Sequence, residues 1–172
     1  NKEDLKRYQL LLGNGERFGA KIEYKIQYKP TGIPEAFLIG KEFIGSNNVA
    51  LILGDNFFYS QGLTKLLIES KKNFSGAKIF CYNVKNPSSF GVVELKKNRI
   101  VSLKEKPKKT KSKHAIIGLY YFDKQVSHLA SKLKRSKRNE TEIIDLLKLY
   151  LAKRKLKFDI LGRGAAWLDT GT

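Results

Sequence analysis

The stretch Val49-Ala50-Leu51-Ile52-Leu53-Gly54-Asp55-Asn56-Phe57-Phe58-Tyr59 decides the fold of this chain. Its first half is a continuous apolar run, which predicts a fully buried strand in the middle of a sheet. Gly54 ends the run and Asp55 follows at once, so this carboxylate is expected at the carboxyl edge of the strand, where ligands bind in open α/β sheets. Asp55 is therefore a candidate for a metal or phosphate-linked site. The alternative is that Gly-Asp-Asn is only a turn after a strand.

The composition is that of one globular domain. The chain has 172 residues, 41% of them hydrophobic and 11% aromatic, which is too apolar for a disordered protein. No apolar run approaches the roughly 20 residues that span a bilayer. The single cysteine, Cys81, lies in an apolar run and is expected to be a buried thiol. These features favour a cytoplasmic protein. Because the chain begins at Asn1 and contains no methionine, we expect a fragment of a longer protein.

The net charge of +18 favours anionic partners. Basic runs occur at Lys106–Lys113, Lys132–Arg138 and Lys153–Lys157. Their partners could be nucleotides, sugar phosphates, nucleic acid or acidic lipid headgroups, and the alternative is that the lysines only solvate helix faces and loops. Because no aromatic RNA-binding signature or helix-turn-helix spacing accompanies these runs, we expect neither a nucleic-acid partner nor a membrane partner.

Hydrophobic periodicity predicts alternating strands and helices. Strands are expected at Ala20–Tyr28, Val49–Leu53, Ala77–Val84, Ala115–Phe122 and Leu156–Leu161, with a hairpin of Val92–Leu95 and Ile100–Leu103. Helices are expected at Asp4–Leu12, Pro34–Phe43, Leu63–Lys72, Lys124–Leu133 and Glu140–Lys153. Asp123 and Asn139 are predicted to cap the last two helices, with Glu142 completing a capping box. This order predicts an α/β fold with a layered sheet, which is mixed because the hairpin is antiparallel.

A second acidic residue, Asp169, follows an aromatic segment near the end of the chain. Two carboxylates that meet at a sheet edge can hold a Mg²⁺ ion that also binds substrate phosphates. The spacing between Asp55 and Asp169 does not by itself decide whether they meet. His114 and His128 match no motif, and we interpret both as surface or hydrogen-bonded histidines.

Several short motifs occur in an order that resembles the sugar-nucleotide nucleotidyltransferases. In chain order these are Gln27, Gly32–Phe37, Leu53–Asn56, Phe90–Glu94, Glu105–Pro107, Gly118–Asp123, Glu142–Asp145 and Trp167–Thr172. Each motif alone is weak, but the ordered set is specific and extends over nearly the whole chain. The resemblance implies one partial nucleotidyltransferase domain over residues 1–172. It implies a Rossmann-like mixed, mostly parallel sheet flanked by helices and incomplete at both ends.

The resemblance also implies a reaction. A thymidylyl group would be transferred from dTTP to glucose 1-phosphate, giving dTDP-glucose and pyrophosphate with Mg²⁺ as cofactor, as in dTDP-rhamnose biosynthesis. The sugar phosphate would attack the α-phosphorus in line, so catalysis would rest mostly on positioning and charge stabilisation. UTP is not excluded, because it lacks only one methyl group, whose burial is worth about 1 kcal/mol. The family further implies a homo-oligomer, specifically a homotetramer.

Roles for individual residues follow from the same resemblance. Asp55 and Asp169 would be the catalytic Mg²⁺ ligands. Gln27 and Gly32 would recognise the thymine, and Asn56 would lie near the sugar of the nucleotide or product.

The hexose-phosphate pocket would be formed by Gly91, Glu105, Lys106 and Ile116, with Trp167 beside Asp169. For these five residues a plainer interpretation stays open. Gly91 could be an ordinary strand glycine, Glu105 and Lys106 a solvated pair, and Ile116 and Trp167 core residues.

The chain departs from the family pattern in one serious respect. The glycine-rich phosphate loop that cradles the triphosphate is absent from the sequence, as are the C-terminal helices of the family. Asn139 and Ile144 replace the usual glycine and threonine around Glu142, which are tolerable changes. We therefore expect this piece alone to be inactive and a longer parent chain to supply the loop. The alternative is a non-catalytic module that binds sugar nucleotides or regulates.

Overall fold

The computed structural model describes residues 2–72 and 74–171. The strands are β1 (Val49–Ile52), β2 (Asn56–Ser60), β3 (Ala77–Asn83), β4 (Gly91–Lys96), β5 (Arg99–Glu105), β6 (His114–Phe122), β7 (Leu156–Ile160) and β8 (Ala165–Asp169). The α-helices are α1 (Lys2–Leu12), α2 (Glu35–Ile39), α3 (Lys41–Ile44), α4 (Leu63–Lys71), α5 (Val126–Ala130) and α6 (Ile143–Ala152). Within these ranges no helix combines the length and apolarity needed to cross a membrane.

The main sheet has six strands in the order β5-β4-β6-β3-β7, and β1 also pairs with β6. The prediction of a mixed sheet flanked by helices is confirmed. The prediction that the sheet is mostly parallel is wrong, because β6 runs antiparallel to β1, β3 and β4, and β4 runs antiparallel to β5. Among the described strands of this sheet, only β3 and β7 pair in parallel. The antiparallel pairing of β4 with β5 follows from the hairpin between them, whose turn residues Lys97 and Asn98 both have positive φ angles.

The buried centre of the sheet is β6, whose residues from Ala115 to Tyr120 are all buried. Its apolar side chains pack into two clusters, one containing Phe122 and Tyr150 and the other containing Phe80 and Ile117. Cys81 on the neighbouring strand β3 is also fully buried, and burial raises the pKa of its thiol. The prediction of a buried structural thiol is confirmed.

The prediction that Val49–Leu53 is a fully buried central strand is wrong. In the described residues β1 pairs with β6 and with no strand on its other edge. Half-buried and exposed residues alternate along β1, and Ile52 is 60% exposed. A continuous apolar run does not reveal how many strands lie beside it. The apolar run of β1 resembles that of β6, but of these two strands only β6 is paired on both edges.

The predicted strand Ala20–Tyr28 is also not observed. The segment is extended, and exposure alternates between exposed and half-buried residues from Lys21 to Ile26. However, the backbone N–H groups of Ala20 and Ile22 donate to the preceding turn rather than to a neighbouring strand. The period of two therefore reflects an extended chain lying against the surface, and it does not establish strand pairing.

Three helices differ from their predicted bounds. The helix predicted at Pro34–Phe43 is divided at Gly40 into α2 and α3, and α5 covers only part of Lys124–Leu133. The helix predicted from Glu140 begins at Ile143, because Asn139 has a φ of 60° and closes a turn in which its N–H donates to the Ser136 carbonyl. Glu142 is itself extended and makes no cap hydrogen bond, so the predicted Asn139 cap and capping box are wrong.

Asp123 joins the main sheet to α5 and α6. Its carboxylate is 7% exposed and accepts hydrogen bonds from Gly76 N at 2.9 Å, Gln125 N at 3.1 Å and Tyr150 Oη at 3.0 Å. The bond from Gln125 closes the turn that precedes α5, but the N-cap residue of α5 is Gln125 and there is no side-chain cap bond, so the predicted cap at Asp123 is wrong. Burial and the neighbouring Asp123 carboxylate raise the pKa of Tyr150, which keeps its hydroxyl protonated as a donor.

We expect Tyr150→Phe to lower the free energy of unfolding by about 1 kcal/mol, because a buried carboxylate loses one donor while two backbone donors remain. Urea denaturation of the full-length protein measures this loss. Tyr59→Phe is the matched control, since Tyr59 is 78% exposed and its substitution should leave the midpoint unchanged. Equal effects of the two substitutions would contradict the role of the Tyr150 hydroxyl.

Candidate active site

Pairing between β2 and β8 brings the two predicted metal-binding aspartates together. The strands are antiparallel, with Asn56 opposite Asp169. Beyond this pair, the N–H and Oγ1 of Thr170 donate to the carbonyl oxygen of Asp55 at 2.9 and 3.0 Å. Neither strand was predicted from the sequence, because the glycines and polar residues around them indicate turns. This short sheet answers the question that the sequence left open.

Gly171 lies between the two carboxylates. A Cβ atom at this position would be 2.8 Å from Asp55 Oδ2 and 3.2 Å from Asp169 Oδ1, so the two oxygens are separated by no more than the sum of these distances. The Gly171 N–H also donates to Asp169 Oδ1 at 2.9 Å. The missing side chain therefore leaves an acidic cradle between two aspartates. Thr172, the last residue of this motif, lies outside the described residues.

The cradle opens into a cleft of about 380 Å³. Eight of the predicted site residues line this cleft: Asp55, Asn56, Gly91, Glu105, Lys106, Ile116, Trp167 and Asp169. They come from five separate parts of the chain that only the fold brings together. Their location beside one cleft is consistent with the predicted roles, and the roles themselves stay predictions.

Asn56 is the hydrogen-bonding centre of the cleft. Its Nδ2 donates to Asp55 Oδ1 at 2.7 Å, while its Oδ1 accepts from Trp167 Nε1 at 2.6 Å and from Gly118 N at 3.1 Å. A Cβ atom at Gly118 would lie 2.7 Å from the amide carbon of Asn56, so only glycine fits there. Gly118 belongs to the motif Gly118–Asp123, but nothing in the sequence indicates that it makes room for Asn56.

Trp167 and Gly91 shape the wall of the cleft. The Trp167 ring packs edge-on against Phe90, with ring centroids 4.9 Å apart. A Cβ atom at Gly91 would lie 2.9 Å from Ile144 Cδ1 and 3.6 Å from Glu105 Oε2. Gly91 therefore allows Glu105, its partner across the β4–β5 pair, and Ile144 to approach the same point of the backbone.

Sequence reasoning missed Arg138, which lines the cleft between two carboxylates. Its Nε and Nη2 donate to Glu142 Oε1 and Oε2 at 3.1 and 2.7 Å, and Nη2 lies 3.8 Å from Glu105 Oε1. In the sequence, Arg138 stands at the end of a basic run. Its spacing of four residues from Glu142 is the available signal that the two could form a pair.

The two glutamates respond differently to this arginine. Burial raises the pKa of Glu105, and repulsion from Glu142 adds to the rise, with Arg138 and Lys106 opposing it in part. Burial also acts on Glu142, but hydrogen bonds from Arg138 and Ser136 outweigh it and hold the pKa below its ordinary value. The arginine therefore keeps Glu142 ionised and limits the cost of ionising Glu105.

Lys106 follows Glu105 at the end of β5 and has a φ of 39°, which is uncommon for a residue with a side chain. Its N–H donates to the Phe90 carbonyl at 3.1 Å, which holds this turn in place. Positive φ at a residue of this kind is a local strain that is concentrated at functional sites. Lys106 and Arg138 are the two cationic side chains that line the cleft.

Gln27 and Gly32 do not line the cleft, but they lie beside it. Gln27 Nε2 donates to the Gly32 carbonyl at 3.2 Å. Gly32 has a φ of 115°, and a Cβ atom there would meet the Thr141 carbonyl at 2.0 Å. Because Thr141 and Ile33 both line the cleft, the two predicted thymine-reading residues are brought together next to it. Their role in nucleotide recognition stays a prediction.

We expect Arg138→Met to lower the free energy of unfolding of the full-length protein by about 1 kcal/mol at neutral pH, since the arginine is half-exposed. The folded-state pKa of Glu142 is depressed, so its stabilisation is present above the unfolded pKa of about 4.3 and is lost as the pH falls through the folded pKa. The difference between wild type and variant should therefore close below about pH 4.

Urea denaturation from pH 7 to pH 3.5 tests this expectation. Lys148→Met is the control, because it breaks the exposed Lys148–Asp145 pair and should change stability by less than about 0.5 kcal/mol. A difference between wild type and Arg138→Met that is independent of pH would exclude the electrostatic explanation.

Comparison with known proteins points to one family. The family model described as nucleotidyl transferase matches residues 1–172. A relative from Neisseria meningitidis serogroup A, named glucose-1-phosphate thymidylyltransferase, is 50% identical over 171 residues, which cover 99% of this chain and 59% of the relative. A relative of the same name from Mycolicibacterium smegmatis is 46% identical over 98% of this chain and 59% of its own length. The chain thus spans about three fifths of the length of these relatives.

Solved structures show the same architecture. A Bacillus anthracis protein assigned as a glucose-1-phosphate thymidylyltransferase, solved in complex with a sucrose, superposes with a TM-score of 0.88 at 32% identity, covering 100% of this chain and 69% of the other. A UDP-glucose pyrophosphorylase solved with UDP-glucose gives a TM-score of 0.80 at 23% identity, covering 100% and 73%. At that lower identity the second similarity concerns the fold alone.

Proposed function

The chain belongs to the nucleotidyl transferase family, and from that premise we propose that it forms part of an enzyme that makes dTDP-glucose. The reaction transfers a thymidylyl group from dTTP to glucose 1-phosphate. The oxygen of the sugar phosphate forms a bond to the α-phosphorus, and the bond from that phosphorus to the β-phosphate oxygen breaks, so pyrophosphate leaves. The names of the relatives support this choice of substrates.

One observation supports the chemistry most directly. Asp55 and Asp169, which are 114 positions apart in the sequence, both approach the position of a Gly171 side chain at the mouth of the cleft. A cleft with two carboxylates at one end and two cations along it can hold a substrate that carries phosphates and hydroxyl groups.

The donor set fits Mg²⁺. This ion binds carboxylate oxygens and usually keeps several waters, taking one or two carboxylates together with substrate phosphates. Asp55 and Asp169 supply two carboxylates, and among the described residues no group of three or more acidic, histidine or cysteine side chains could hold a metal alone. When bound, Mg²⁺ would neutralise the phosphate oxygens and favour in-line geometry. Its two protein ligands would be Asp55 and Asp169.

The remaining residues of the cleft position the sugar phosphate. Glu105, whose ionisation the neighbouring Arg138 favours, can accept hydrogen bonds from two sugar hydroxyls. Lys106 and Arg138 can neutralise the phosphate, with lysine acting as a point charge. Ile116 and Gly91 leave an apolar floor for the ring, and Trp167 forms the wall beside it. Asn56 keeps Asp55 oriented through its hydrogen bond, because the amide is itself fixed by Trp167 and Gly118.

Base recognition is assigned to Gln27 and Gly32. A side-chain amide can pair with the edge of a pyrimidine, and a glycine allows a ring to approach the backbone. The bond from Gln27 to the Gly32 carbonyl holds these two groups together. The proposal extends to a homotetramer in the cytoplasm with a role in dTDP-rhamnose synthesis, which the family resemblance implies.

We expect the full-length protein to release pyrophosphate from dTTP only when glucose 1-phosphate and Mg²⁺ are both present. Asp55→Asn and Asp169→Asn should each lower kcat by about 100-fold or more, because each removes a carboxylate ligand of the Mg²⁺ that would neutralise the phosphate charge in the transition state. Asp145→Asn is the control with the same chemical change, since Asp145 lies in the exposed pair with Lys148 and its substitution should leave kcat unchanged.

Two outcomes would contradict the proposal. Retained activity in both aspartate variants would exclude their assignment as metal ligands. Binding of dTDP-glucose without any pyrophosphate release by the full-length protein would instead support a non-catalytic sugar-nucleotide-binding module.

A further inference from the structure

A second concave surface of about 1010 Å³ lies apart from the active-site cleft. We call it the basic groove, because five lysines line it: Lys96, Lys104, Lys109, Lys111 and Lys113. They come from β4, β5 and the segment before β6. The groove shares no lining residue with the active-site cleft.

The charge of the basic groove is almost wholly positive. Glu94 is its one acidic lining residue, and its carboxylate is 2.7 Å from the ammonium group of Lys104. Four lysines therefore remain against no acidic residue of the lining. Charges of one sign on a concave, low-dielectric surface raise the local concentration of counter-ions more than the same charges on a convex surface.

The lysines of the segment before β6 are held toward the groove by the backbone on which they lie. From Lys109 to His114, exposed and half-buried residues alternate strictly. Thr110 Oγ1 accepts from Ser112 N, and Ser112 Oγ accepts from His114 N and donates to the Val93 carbonyl at 2.6 Å. The first two bonds hold a segment that bends at Lys109 and Lys111, and the bond to Val93 ties it to β4.

The three lysines of that segment, Lys109, Lys111 and Lys113, are its exposed residues, and all three line the groove. A lysine-rich loop that only keeps the protein soluble needs no such hydrogen-bonded frame. Leu95 and Val101 add aliphatic surface between the lysines, and Val101 is 55% exposed.

We propose that the basic groove is a second ligand site, which binds an anion with two or more phosphates. The ligand is an inorganic polyphosphate or a nucleoside polyphosphate, since both carry the clustered charge that several lysine ammonium groups can neutralise together. The volume of the groove lies at the upper limit of the range of small-molecule sites. This inference does not depend on the proposed transferase activity.

The experiment measures binding of sodium tripolyphosphate by isothermal titration calorimetry to the full-length protein. All measurements use a Lys106→Met/Arg138→Met background, which removes both cations of the active-site cleft. In that background we expect a binding event that is weakened about tenfold or more by the triple substitution K109Q/K111Q/K113Q, because charge-assisted contacts are lost. Thermal denaturation checks that each variant is folded.

A matched triple substitution, K132Q/K134Q/K137Q, removes the same charge from a basic run that does not line the groove. It should weaken binding by less than about twofold, since none of these lysines lines the groove and exposed charges that do not contact a ligand are screened by salt. Val101→Asp, which places a negative charge on the exposed floor of the groove, should weaken binding as the lysine substitutions do.

The titrations with dTTP and ATP distinguish the two sources of the ligand. If dTTP or ATP binds more tightly than tripolyphosphate, and Val101→Ser removes that difference, the ligand is a nucleoside polyphosphate. Equal affinity for all three identifies the inorganic ligand. Three results would overturn the proposal: no tripolyphosphate binding in the cleft-deficient background, equal weakening by both triple substitutions, or binding of a single-stranded RNA 20-mer that depends on the groove lysines and that tripolyphosphate does not displace.

Discussion

The pairing of β2 with β8 is the interaction on which the candidate active site depends. It joins residues more than 100 positions apart and places Asn56 opposite Asp169. Without it, Asp55 would end an edge strand and Asp169 would end an isolated segment, each as an ordinary solvated carboxylate. The bonds from Thr170 to the Asp55 carbonyl fix the register, and Gly171 leaves the space that the two carboxylates border. A backbone pairing thus creates a site that neither strand contains alone.

The centre of the sheet and the cleft are linked through Gly118. This residue lies in β6, the strand that pairs with β1, β3 and β4, and its N–H is bonded to Asn56 rather than used only within the sheet. Because β6 is buried, the bond from Gly118 anchors Asn56 to the centre of the main sheet. Asn56 in turn forms hydrogen bonds with both Asp55 and Trp167. The buried core therefore helps to fix the positions of the groups around the acidic cradle, as a preorganised site requires.

The sequence predicted features that depend on nearby residues better than it predicted which strands lie next to each other. The hairpin at Lys97 and Asn98 and the buried Cys81 are determined by nearby residues, and these predictions are confirmed. The pairing of β1, the absence of a strand at Ala20–Tyr28 and the antiparallel sheet depend on which segments lie alongside, which periodicity does not encode. For the site, ordered motifs identified eight residues that line one cleft. The motifs did not include Arg138, and they included Gly118 without indicating its role. Both roles exist only through contacts, that of Arg138 with Glu142 and that of Gly118 with Asn56.

The distribution of charge separates the cleft from the basic groove. Carboxylates outnumber cations in the cleft, where Asp55, Asp169, Glu105, Glu140 and Glu142 lie with Lys106 and Arg138. A nucleoside triphosphate entering there meets net repulsion, most of which a divalent cation between Asp55 and Asp169 would offset, so on this proposal Mg²⁺ contributes to binding as well as to chemistry. The groove has the opposite balance, and its lysines can attract polyphosphate with no metal ion. A cation that screens phosphate charge would strengthen binding at the first surface and weaken it at the second.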